Sequence, residues 1–191
     1  MIVKPSAEGI AAAASAATKQ KGLPPVHLWN PPFCGDLDMR IARDGTWFYL
    51  GTPIGRPALV RLFSTILKRE GDAYFLVTPV EKVGIKVDDA PFVAVDFEVA
   101  GAGADQAITF TTHVGDTVTA GPDRPIRVVR DDSGEPSPYV LVRANLEALI
   151  DRKSFYRLVE IGEHADHAGA RWFGVRSQGV FFPIIPSAEL G

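Results

Sequence analysis

From Tyr74 onward apolar and polar positions alternate along the chain, and a period of two predicts strands. The alternation covers residues 74–77, Val83, Ile85 and Val87, then Val93, Val95, Phe97 and Val99, then Ile108 and Phe110. Asp88-Asp89-Ala90-Pro91 and Gly101-Ala102-Gly103 supply the turns. Residues 126–129 and 139–142 continue the sheet around the loop 131–134, and residues 172–175 and 180–185 form a closing hairpin. Upstream, Asp44-Gly45 turns the chain between 39–41 and 47–50, a small hairpin. Leu59, Leu62, Phe63, Ile66 and Leu67 recur at helical spacing, which predicts a helix from Pro57 to Arg69 with Gly71 beyond its end. A second helix is expected at 154–161, after a shorter turn at 145–150. The alanine-rich run 10–17 is a further helix by intrinsic propensity.

Few helices among many short strands give an α+β fold, predominantly antiparallel. Its self-similarity is informative. Residues 56–63 lie on residues 152–159 without a gap, both reading Arg, three residues, an apolar or aromatic residue, then Arg-Leu and an apolar residue. Each segment precedes a glycine and an aromatic strand, Gly71 with Tyr74-Phe75 and Gly169 with Trp172-Phe173. A tandem duplication of a sheet-plus-helix unit is therefore expected, with Arg56 and Arg152 at matching helix starts. The domain organisation is an N-terminal helical segment at 1–22, a sheet-plus-helix domain at 23–88 and a β-rich domain with a helix at 89–191. Prolines 24, 25, 31 and 32 make the segment before the first domain extended.

The 191 residues carry a net charge of −3 and a pI of 5.8, which argues against a general nucleic-acid binder. Eighteen glycines and fifteen prolines fit many turns between short strands. Cys34 stands alone, so neither an internal disulfide nor a thiolate-paired metal site can form, and a reducing compartment is expected. Ala14-Ser15-Ala16 resembles a signal-peptidase site, but no Leu- or Phe-rich core precedes it, so the expected location is cytoplasmic. No stretch reaches the ~20 apolar residues of a membrane span.

The common catalytic signatures are missing: no phosphate loop, no His-Glu-x-x-His and no Gly-x-Ser-x-Gly. Gly101-Ala102-Gly103 opens no helix and is a hairpin loop. His164 and His167 belong to a solvated loop rather than a metal site, and no metal or cofactor is expected. Cys34 is expected to be buried, and Asp36 and Asp38 to mark a solvated edge. The arginines carry more. Arg143, Asn145, Glu147 and Arg152 gather at a strand-to-helix junction, where backbone N–H groups are free and guanidinium groups offer planar donors for carboxylate or phosphate. An internal Arg–Glu network is the competing structural reading. Trp47 and Tyr49 share one face of the hairpin that leads to Arg56, and amphipathic rings beside an arginine can stack a planar ligand. Lys82, His113 and Asp116 sit near strand ends or turns and join the same candidate cleft.

Several runs occur in order: Cys34-Gly35-Asp36, residues 44–49, 51–56, 77–82, 89–92, 143–149 and Gly179-Val180-Phe181-Phe182. Over about residues 23–185 they resemble an uncharacterised proteobacterial domain-of-unknown-function family. The resemblance implies a duplicated core, a C-terminal half like the pleckstrin-homology fold, a site for a nucleotide-like ligand between the halves, and a role in signalling. His113 stands where an amide is expected in that family, which leaves the role of this position open. The expected function is a binding or sensing module for a small anionic ligand. The alternative is a hydrolase or transferase acting on a phosphorylated small molecule, with Glu147, Asp116 or His113 as acid or base. A scaffold that contacts a protein partner is the third reading.

Overall fold

The computed structural model describes residues 4–18 and 21–191, in two compact units, Met1–Asp89 and Ala90–Gly191. Residues 1–3 and 19–20 of the expected N-terminal helical segment lie outside the described residues.

The first unit begins with α1 (Ala7–Ala17), whose start is fixed by Ser6 accepting a hydrogen bond from the Gly9 N–H. A 3-10 turn at Val26–Leu28 interrupts the proline-rich link. Then follow β1 (Phe33–Ile41), β2 (Trp47–Tyr49), β3 (Thr52–Pro53), α2 (Pro57–Thr65), β4 (Leu67–Glu70), β5 (Ala73–Val77) and β6 (Lys82–Val87). The strands form one sheet in the order β3-β2-β1-β6-β5-β4. Leu37, Met39 and Ile41 alternate inward from β1 and meet Trp47, Phe63, Ile66, Leu76 and Val83 in the core. Trp47 and Phe63 stack with ring centroids 6.1 Å apart, which fixes α2 on the sheet.

The helix expected to reach Arg69 ends at Thr65, and the next residues form β4. Ser64 and Thr65 turn their hydroxyls back onto the carbonyls of Arg61 and Leu62, both at 2.6 Å, in competition with the helical ladder. Gly71, at φ +59°, then turns the β4–β5 hairpin instead of capping a helix.

The second unit contains β7 (Phe92–Ala100), β8 (Ala107–Thr112), β9 (Thr117–Thr119), β10 (Ile126–Arg130), β11 (Pro136–Arg143), β12 (Leu146–Ile150), α3 (Arg152–Glu160), β13 (Glu163–His167), β14 (Ala170–Ser177) and β15 (Val180–Pro186). Six strands pair in the order β10-β11-β12-β7-β8-β9, and β13-β14-β15 form a three-stranded sheet. Residues 146–150, expected as a turn, are the strand β12 between β11 and β7, because Leu146, Ala148 and Ile150 all bury on one face. The expected loop around His164 and His167 is β13, paired residue by residue with β14. Phe173 lies over Gly162, where a Cβ would come within 2.2 Å of its ring.

The duplication is visible in both units. Each six-stranded sheet is two antiparallel meanders joined by one parallel pair, β1 with β6 and β7 with β12. Each unit also contains the order meander, helix, meander: β1–β3, α2, β4–β6 and β10–β12, α3, β13–β15. The sheets are predominantly antiparallel. Arg56 directly precedes α2 and Arg152 is the first residue of α3, so the gapless alignment joins two helix starts. In the repeat of the six-stranded sheets, however, α2 lies between the two meanders and α3 follows β12, so the expected equivalence of the two arginines does not hold there.

In the second unit the fully buried Ser177 hydroxyl donates to the Ala120 carbonyl at 2.7 Å and accepts from the Ile108 N–H at 2.9 Å. This ties β14 to the edge of β8. Ser177→Ala leaves two buried backbone groups without partners and is expected to lower stability by about 1–3 kcal/mol; chemical denaturation of the variant against the parent checks this.

Candidate functional site

Rings and cations are paired throughout the molecule. Eight Arg or Lys groups lie over an aromatic ring among the described residues, and seven of them also bind a carboxylate. In the first unit these are Arg40 over Phe48 with Asp88, Arg69 over Tyr74 with Asp72, and Lys82 over Phe75 with Glu70. In the second unit they are Arg127 over Tyr139 with Glu147, Arg143 over Phe92 with Asp116, Arg157 over Phe97 with Asp96, and Arg176 over Phe181 with Glu163. The remaining one is Arg152. It stacks on Tyr156 and donates from Nε to the phenolic oxygen at 2.9 Å; no described carboxylate forms a salt bridge with it, and Glu135 attracts it only at longer range. That hydrogen bond holds the Arg152 guanidinium above its ordinary pKa.

Glu147 is gripped by Arg127 through two hydrogen bonds of 3.0 and 2.7 Å. It therefore belongs to a β10–β12 cross-strand network rather than to Arg152. Arg143, half-buried at the end of β11, binds Asp116 at 2.8 Å. His113 lies in the same turn as Asp116, and its Nδ1 accepts from the Val93 N–H at 3.2 Å. Arg143, Asp116, His113 and Phe92 thus converge at one end of the second unit's sheet. Asn145 is exposed on the neighbouring turn, where Ala144 holds a left-handed conformation at φ +49°.

In the first unit Trp47 is 1% exposed and belongs to the core, so it presents no ring at the surface. Tyr49 is half-buried, and its hydroxyl accepts from the Ala7 N–H at 3.4 Å. Tyr49 and Arg56 line one recess of about 260 Å³, together with Glu8, Ile54, Gly55 and Leu59. Arg56 is exposed, and no described residue pairs with its guanidinium. No side chain caps α2, and its first-turn N–H groups are those that lack intrahelical partners. Lys82 lies elsewhere, on the sheet face beside Phe75. Cys34, expected to be buried, is exposed. No three potential metal ligands cluster among the described residues.

Sequence reasoning passed over Arg127, because pairing between β10 and β12 across β11 depends on register. It also passed over Gly84, a lone glycine inside a strand pattern, which commonly marks a close approach of another group.

Glu70 sits between Lys82 and Lys68, and the Lys82 hydrogen bond chiefly holds its carboxyl below the ordinary value of 4.5. Hydrogen bonds to Arg157 and to Ser133 lower Asp96 and Asp131 likewise. Such groups stabilise the fold above their unfolded values, and the stabilisation disappears as pH falls through the folded ones. Stability is therefore expected to drop between about pH 5 and about pH 3, and Glu70→Gln to reduce that drop. Urea unfolding at the two pH values, at low and high salt, measures it; because these pairs are exposed, added salt is expected to shrink the effect.

Models of two domains match the chain: "Domain of unknown function (DUF1285), N-terminal domain" over residues 24–90 and "Protein of unknown function (DUF1285), C-terminal domain" over residues 91–184. A crystal structure of a DUF1285 family protein from Silicibacter pomeroyi is 67% identical, covers 95% of this chain and 97% of its own, and superposes with a TM-score of 0.86. A second, from Shewanella baltica, is 32% identical, covers 65% of this chain and 91% of its own, with a TM-score of 0.53. No curated protein matches the chain. Among the described residues no helix is long and apolar enough to cross a membrane. The two matched domains and these two structures place the chain in the DUF1285 family.

Proposed function

We propose that this chain is a binding or sensing module for a small anionic, nucleotide-like ligand, with Arg56 in the first unit and Arg152 in the second as separate candidate anion contacts and signalling as its role. One observation supports this above the others. Arginines in this fold are habitually neutralised by an acid, and Arg152 is the ring-stacked cation that is not. Arg56, which aligns with it in sequence, also lacks an acid partner among the described residues. Both stand at the start of a nine-residue helix; the positive end of α2 carries no side-chain cap and favours negative charge, whereas the Asp151 carboxylate already caps α3 by accepting from the Ser154 N–H. A guanidinium there can bind a phosphate or carboxylate through two parallel hydrogen bonds. Tyr49 beside Arg56 offers a ring face for a planar group. By contrast, Glu147 and Asp116, the acid–base candidates of the enzymatic alternative, are each held by an arginine.

Adenosine and guanosine nucleotides, inorganic phosphate and citrate are the probes for a thermal-shift series. A ligand at about 100 times its Kd is expected to add about 2.7 kcal/mol of stability. Arg56→Ala or Arg152→Ala, according to which unit holds the ligand, is expected to weaken binding at least about tenfold, the usual scale of a charged hydrogen bond. Absence of stabilisation by every anion, or undiminished binding in both variants, contradicts the proposal.

A further inference from the structure

We infer that the outer face of the first unit's sheet is a separate site for a small zwitterion, a molecule carrying an ammonium and a carboxylate on the same carbon in the manner of a free α-amino acid. The site is built on the parallel pair β1–β6. Leu37, Met39 and Ile41 of β1 and Val83 and Ile85 of β6 face the core. Asp36, Asp38 and Arg40, with Lys82, Gly84 and Lys86, therefore face outward, because side chains alternate along a strand.

The backbone departs from regular pairing twice on this face, on either side of Asp36. The β1–β6 register shifts between Phe33 and Asp36 and again between Asp36 and Arg40, and Gly35 holds φ +100°. Irregularities of this kind re-aim a side chain at the expense of ladder hydrogen bonds. Here they lay the Asp36 carboxylate across Gly84, where an added Cβ would stand 2.2 Å from Oδ1. Asp36 and Gly84, with Phe33, Phe75, Lys82 and Lys86, line an open groove of about 610 Å³. An adjoining recess of about 330 Å³ shares Asp36, Gly84 and Lys86 and extends to Phe48.

Charge decides what the groove takes. Lys82 is bound to Glu70 at 3.1 Å and lies over Phe75, and Arg40 is bound to Asp88 and lies over Phe48. Those pairs are neutral. Asp36 and Lys86 remain, and neither has a partner among the described residues. Asp38, likewise without one, borders the smaller recess alone. Lys86 stands two residues beyond the glycine that Asp36 faces, roughly 6–7 Å along the strand. That separation suits one ligand that donates from its ammonium to Asp36 and accepts at its carboxylate from Lys86, through charged hydrogen bonds of about 2.8 Å. Phe33, 56% exposed and edge-on to Phe75 at 6.0 Å, gives an apolar wall for the ligand's side chain.

Calorimetric titration of the intact protein with the free amino acids, and with phenethylamine and phenylpropionate as probes lacking one charge each, tests the inference. Phenylalanine or another member of the panel is expected to bind, with its single-charge analogues at least about tenfold weaker. Asp36→Asn and Lys86→Met are each expected to reduce affinity about tenfold at an unchanged melting temperature. Gly84→Ala, which pushes the carboxylate aside without altering charge, is expected to do the same. Arg56→Ala is expected to leave this binding intact, which separates the site from the anion contacts proposed above. No binding by any amino acid, equal binding of phenethylamine, or full affinity in Asp36→Asn overturns it.

Discussion

The parallel pairing of β1 with β6 is the constraint on which the first unit depends. It joins residues 33–41 to residues 82–87, so it closes a loop that contains β2, β3, α2, β4 and β5. A parallel pair cannot be closed by a hairpin; here the whole intervening chain is the connection. The second unit repeats the arrangement, with Phe92–Ala94 of β7 beside Ala148–Ile150 of β12. Long-range closure of this kind delays the gain in contacts until most of the loop entropy is lost, which makes such units slow to fold. It also creates the surface on which the irregular stretch around Asp36 faces Gly84, since neither residue would meet the other within a hairpin.

Local chemistry was legible wherever the sequence itself carries the signal. Asp44-Gly45 marks the β1–β2 turn, the alternating runs mark β5 to β8, and the repeated Arg-to-Leu pattern places Arg56 and Arg152 each at a helix start, though not at equivalent places in the repeated sheets. What escaped depended on partners distant in sequence. Residues 67–70 look helical in isolation, yet they pair with β5 because hydroxyls at Ser64 and Thr65 end the helix first. Residues 146–150 are short and rich in helix formers, and they become a central strand because three of them bury together. Helix propensity is a weak preference beside such burial. The parallel joints carry no sequence mark, since a strand's period says nothing of its neighbour's direction.

The candidate site was legible as residue types but not as pairs. Tyr49 and Arg56 meet in one recess, and Arg143, Asp116 and His113 meet at one sheet end. Trp47 is the keystone of a core stack instead of a surface ring, because the face of the hairpin that it shares with Tyr49 turns inward. Glu147 answers to Arg127, two strands away from it in the sheet. Clustered guanidinium groups do repel one another, but in this fold most of the compensating charge comes from the protein's own acids. That general rule gives the unpaired Arg152 its significance, and it likewise singles out Asp36 and Lys86 on a face whose other cations over rings are neutralised.

Native-state hydrogen exchange tests the closing pair most directly. If β1 and β6 close the first unit as one cooperative structure, the buried amides of Leu37 and Met39 exchange with the same opening free energy and denaturant dependence as those of Val83 and Ile85. Exchange of the β1 amides through a low-energy opening, while β5 and β6 keep their protection, would contradict the account.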